Sequence, residues 1–149
     1  MQCGPGAALL LRAKLRIESR VEEVARARRW LAEHALAAGF PEDETRRVGL
    51  ALSEACTNVI EHAYGGQPGH HIDLQLDVDA ERLTVRVRDT GRPFDPASYR
   101  PPDLSRAHES GYGVHLMRSI MDEVRYAPSE EGGTQLTMVR LRGGRRLSS

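Results

Sequence analysis

The chain has 149 residues, within the span of one ordinary domain and short for two. Its 21 basic and 21 acidic residues cancel, which excludes a global electrostatic pull toward nucleic acid or a membrane surface and leaves any charged partner to a local patch. Two cysteines, Cys3 and Cys56, form neither a disulfide framework nor a metal-ligand set and fit a reducing, cytoplasmic setting.

Residues 1–7 begin MQCGPG and are expected to form a flexible N-terminus. The apolar run that follows is only a few residues long and no basic stretch precedes it, so neither a signal peptide nor a membrane span is expected. From residue 8 to 17 the alternation Leu11, Ala13, Leu15, Ile17 predicts a strand with one buried face. Ser19 is placed to cap a helix in which Val21, Val24, Leu31 and Ala35 recur near helical spacing, with Gly39 and Pro41 as its stop. A second helix is predicted from about residue 41 or 42 to 64, with Val48, Leu52, Ala55, Val59 and Ala63 as its apolar stripe and Gly65-Gly66 as its end.

HIDLQLDV and RLTVRVRD alternate as two strands, joined at Asp79-Ala80-Glu81. Residues 91–112 contain four prolines and no periodicity, which reads as a loop. After Gly113 a short helix, VHLMRSIMDEV, leads to a strand near residues 125–127. A turn at Glu131-Gly132-Gly133 opens the last strand, TQLTMVRLR, and residues 143–149 are expected to form a flexible tail. Grouped helices beside adjacent strands predict an α+β fold over residues 8–142, a two-layer α/β sandwich with helices on one face of a mixed sheet.

Four short segments carry polar residues suited to chemistry. On the second helix Glu54 and Asn58 lie four apart and so share a face, which His62 extends by a turn. A carboxamide oxygen is a hard ligand for Mg²⁺ and a carboxylate can accept a proton, although a solvated helix face has the same appearance. In DTGRPFD, Asp89 can accept from an exocyclic amine where Gly91 lets a flat ring approach the backbone; the same letters also make a plain turn. Gly111 and Gly113 immediately precede the short helix, where unpaired amides favour phosphate, but the third glycine of a dinucleotide fingerprint and a Walker-type lysine are absent. Thr134, after Gly133, offers a hydroxyl to a buried group or a base, or is simply a β-branched residue after a turn.

In this order, Glu54-x-x-x-Asn58, Asp89-x-Gly91, Gly111-x-Gly113 and Gly133-Thr134 resemble the four nucleotide-binding boxes of the Bergerat-fold (GHKL) ATPases. Within them SEACTNVIEHAY, DTGRPFDP and GYGVHLMRSIMDEVRY are most similar to bacterial anti-sigma-factor serine/threonine kinases, a likeness covering roughly residues 10–142. The resemblance implies ATP and Mg²⁺ as cofactors, with Asn58 coordinating the metal, Asp89 binding the adenine amino group, and Gly91 admitting the base. It implies further that Gly111 and Gly113 border a lid over the phosphates, that Thr134 supports the adenine end, and that Glu54 is the general base for a substrate serine. His62 matches a position often histidine there, open to a phosphate-side contact or a helix-packing role.

Its implied partners are a sigma factor and an anti-sigma-factor antagonist, with homodimerisation expected from the resemblance alone. Some members carry arginine before the Ser-Gly of the lid, where this chain has Glu109; Arg106 is the nearest substitute. Without that cation a second reading opens, an ATP-binding regulatory module with little or no transfer. A full sensor histidine kinase is not expected, because no upstream helix bears a phosphorylatable histidine. The arginines Arg20, Arg26, Arg28 and Arg29 of the first helix are read as a solvated face.

Overall fold

A computed structural model describes residues 8–93 and 109–143, with side chains from residue 114 onward in the second stretch. Strand β1 (Leu9–Glu18) is followed by helices α1 (Val21–Ala37) and α2 (Glu42–Asn58). The hairpin β2 (His71–Asp79) and β3 (Arg82–Arg88) comes next, then helix α3 (Glu109–Ile120) and strands β4 (Glu123–Pro128) and β5 (Thr134–Leu141). The alternation of apolar residues sets which face of each strand is inward: Leu11, Ala13, Leu15 and Ile17 on β1, Ile72 to Val78 on β2, and Leu83, Val85 and Val87 on β3 join one core with the helices. This is the expected α+β sandwich.

The sheet order is β1-β2-β3-β5-β4, and every pair is antiparallel rather than the mixed set expected. Two helices separate β1 from β2, so the chain returns to the end it left and β2 runs back beside β1. The crossover through α3 does make β3 and β4 point the same way, but β5 lies between them and no parallel ladder forms.

Ser19 does not cap α1. Arg20 is the N-cap, without a side-chain bond, while the Ser19 hydroxyl donates to the Gln67 carbonyl (2.7 Å) and accepts from the His70 amide (3.1 Å), tying the loop before β2 to β1. Val21 sits exposed in the first turn, and the buried stripe is Val24, Ala27, Trp30, Leu31 and Ala35. The predicted second helix does reach residue 63, but its last part, Val59–Ala63, is a π-helical turn closed by the Tyr64 amide on the Val59 carbonyl (3.1 Å). Gly65 and Gly66, at φ of 60° and 78°, then turn the chain away as the Gly-Gly pair predicts. Asp79 Oδ1 accepts from the amides of Glu81 and Arg82, which fixes the hairpin connection.

Candidate functional site

A cavity opens between the C-terminal half of α2 and the strand ends of the sheet. Ala55, Asn58, Val59, His62 and Ala63 line it from the helix, Val87 and Asp89 from β3 and its exit, and Tyr126, Thr134 and Leu136 from β4 and β5. Residues separated by up to 81 positions therefore share one site. Its walls are mostly apolar, with polar groups at few points, and it encloses only about 30 Å³.

Asp89 is buried, with only 4% of its surface exposed. Its amide donates to the Thr134 carbonyl (3.0 Å), and its carboxylate accepts from the amides of Gly91 (2.9 Å, at Oδ1) and Thr134. Burial pushes the carboxyl above its ordinary range, and the two amide donors pull it part of the way back. Both neighbouring glycines are required by close packing within the protein. A Cβ on Gly91 would meet the Ala63 carbonyl, and also the Tyr64 ring at 2.8 Å; one on Gly133, where φ is 81°, would run into the Asp89 carbonyl. So Gly91 acts here on the chain's own backbone, clamping the loop against the π turn. It lines not the cavity but an adjoining groove, with Tyr64, His70 and Arg92.

Asn58 is the last residue of α2 and half-buried at the cavity wall. Because the π turn begins immediately after it, His62 still faces the same cavity, with its ring about half exposed and 4.0 Å from Glu61. Glu54, one turn before Asn58, is half-buried and outside the cavity lining. Thr134 begins β5, buried beside Asp89.

The glycines of the third segment are placed differently from the expectation. Gly111 and Gly113 lie inside α3, which begins at Glu109, rather than before it. The apolar pattern begins only at Val114, and the first turn supplies no periodicity to reveal itself. Arg106, Phe94 and Asp95 lie outside the described residues.

Two tyrosines escaped the sequence reading. The Tyr64 hydroxyl donates to the His71 carbonyl (2.6 Å) and accepts from the Thr90 amide (2.9 Å), while its ring stacks on His70 at 4.5 Å. It fastens the end of the π turn to the loop carrying Gly91, and its position just before Gly65-Gly66 was the available signal. Tyr126 occupies an inward position of β4; burial pushes its phenol up to about 12, so it lines the cavity as a neutral group. Arg92 closes the turn further, its amide donating to the Ala63 carbonyl (2.8 Å) and its Nε to the His62 carbonyl (3.3 Å).

The chain matches the histidine kinase-like ATPase domain over residues 17–140. It is 30% identical over 142 residues to the serine-protein kinase RsbW of Bacillus subtilis (strain 168), covering 90% of this chain and 88% of that protein. With the RsbW of Bacillus cereus (strain AH187) the identity is 33% over 131 residues, 83% and 81% of the two chains. The chain belongs to the RsbW serine-protein kinases of that ATPase family. Two solved structures share the fold. The RsbU and RsbW domains of a Mycobacterium tuberculosis protein superpose with a TM-score of 0.65 at 18% identity, over 93% of this chain and 34% of that one. A blue-light activated histidine kinase of Erythrobacter litoralis gives 0.50 at 24%, over 67% of this chain and 31% of that one. As a kinase of this family the chain binds ATP, and the cavity of Asn58, Asp89 and Thr134 lies wholly within the matched span. Among the described residues no helix is long and apolar enough to cross a membrane.

Proposed function

We propose that this kinase phosphorylates a serine of an anti-sigma-factor antagonist, and that it holds a sigma factor when that antagonist is not bound. The observation that carries the proposal is the meeting of Asn58, His62, Asp89 and Thr134 around one otherwise apolar cavity. Apolar walls suit the flat faces of a purine, for which the cavity has to widen from about 30 Å³, and Asp89, held by two amides, keeps acceptor capacity for the exocyclic amine. Thr134 supports that end. Asn58 stands one turn of helix from Glu54, and its carboxamide oxygen suits Mg²⁺, a hard cation that takes its other ligands from phosphate oxygens and water. Bound there, the metal would neutralise charge on the triphosphate.

The residues then divide the work. Asn58 and His62 hold the phosphate side, and Gly111 and Gly113 of α3 allow the helix backbone to close over it. Glu54 accepts the proton of the serine hydroxyl as the Oγ–P bond forms and the bond from the γ-phosphorus to the ADP oxygen breaks. The weaker-transfer reading rests on Glu109, which stands where some members carry an arginine before the Ser-Gly of the lid.

Incubation with Mg-ATP and the antagonist tests both readings. Phosphoserine on the antagonist is expected with the wild type. Asn58→Ala should weaken Mg-dependent nucleotide affinity by roughly tenfold or more, the scale of a contact to a charged group. Glu54→Ala should bind nucleotide normally and lose about 100-fold or more in transfer. Tight binding without transfer by the wild type would instead mark a regulatory module, and equal behaviour of all three proteins would refute the role assignment.

A further inference from the structure

On β5 the inward positions run Thr134, Leu136, Met138 and then Arg140, an arginine where the alternation calls for an apolar residue. It is 93% buried by its 7% exposure, so its charge must be met inside the protein. Arg140 Nη1 donates to the Ile120 carbonyl (2.7 Å), the last residue of α3. Its Nε lies 3.8 Å from Glu44 Oε1, in the first turn of α2, and both of those buried atoms lack a hydrogen bond. Next to it the amide of Asp122 donates to the Val139 carbonyl (2.8 Å) and Asp122 Oδ2 accepts from the Leu141 amide (2.7 Å). The foot of α3 is thus fastened to β5.

We infer that Glu44 and Arg140 form a positioning pair that couples closure of α3 over the nucleotide to α2, the helix that ends in Asn58. The inference rests on reading α3 as the phosphate-covering helix. At 3.8 Å the two charges attract, but Nε and Oε1 make no hydrogen bond, so part of the desolvation cost of the pair is not offset. A displacement of less than about 1 Å brings it within bonding distance. Movement of α3 and Arg140 toward the start of α2 therefore completes the pair, and whatever stabilises the closed helix also stabilises the pair. By linkage the pair strengthens nucleotide binding from the far end of α2, roughly 20 Å from Asn58 by helical rise.

Calorimetric titration of Mg-ATP into the full chain, at a temperature where every variant is folded, tests this. Glu44→Gln and Arg140→Met should weaken affinity by roughly fivefold or more, with kcat at saturating nucleotide retained. Arg140→Lys, which keeps the charge, should recover most of the loss, and with Glu44→Gln it keeps the test decisive if Arg140→Met does not fold. Wild-type binding, measured first, reports on the nucleotide site itself; the variant-to-wild-type ratio reports on the pair. Variants that melt earlier but bind Mg-ATP with wild-type affinity would overturn the inference and leave a simple brace.

Discussion

Asp89 shows how a single buried carboxyl can be kept at the expense of folding. It closes a strand in an apolar cavity, and desolvation there raises its carboxyl despite two amide donors. A carboxyl raised in the folded state contributes most stability when neutral, below its unfolded value, and that contribution is lost as pH rises through the folded value. Asp89→Asn removes the titration. Its melting temperature relative to wild type should therefore improve as pH rises above the ordinary carboxylate range, as followed by calorimetry. The same substitution should cost about tenfold or more in ATP affinity, because an acceptor for the adenine amine is weakened. A melting difference that does not change with pH would show that Asp89 carries no folding penalty. Cys56, in contrast, is buried with its thiol pushed up to about 12, which leaves it a packed residue of α2.

At the scale of elements, what the letters disclosed was decided by periodicity. Both hairpin strands, the last strand and the reach of the second helix followed from spacing alone, because each has one face in the core. The π turn was not legible, since an added residue per turn leaves no mark in an apolar stripe. Nor was the start of α3, whose first turn is glycine-rich. The grouping of Asn58, Asp89 and Thr134, which line one cavity, was legible from type and order. The reason for the glycines beside them was not, because it is tertiary: Gly133 faces the Asp89 carbonyl and Gly91 the Ala63 carbonyl across turns far apart in sequence. Gly133→Ala meets both a positive φ and that contact. It should lower stability by about 2 kcal/mol or more and weaken nucleotide binding through Asp89, as thermal melts with and without Mg-ATP would register. A melt unchanged by the substitution would mean that this packing is not required.

The whole molecule places its helices and its site on one side and leaves the other side of the sheet to charge. There Arg12 and Arg86 meet Asp77 while Arg16 and Arg88 meet Asp73, above a groove bordered by Lys14, Gln75 and Gln135. That groove is larger than the cavity beside Asn58, at about 350 Å³, yet it is polar and open and gathers none of the four family segments. Zero net charge gave no hint of it, because composition averages over faces that the fold separates. The antiparallel order follows from the same placement: two helices before β2, and β5 inserted between β3 and β4, bring the ends of β3 and β5 beside the end of α2.

Amide hydrogen exchange with and without a non-hydrolysable Mg-ATP analogue addresses that arrangement directly. Residues 54–64, 87–92, 109–116 and 132–136 should become protected together, at one nucleotide concentration, while the outward face of β1 and β2 stays as it was. Protection confined to the charged groove, or four segments that respond at separate concentrations, would contradict a single nucleotide held between α2 and the sheet.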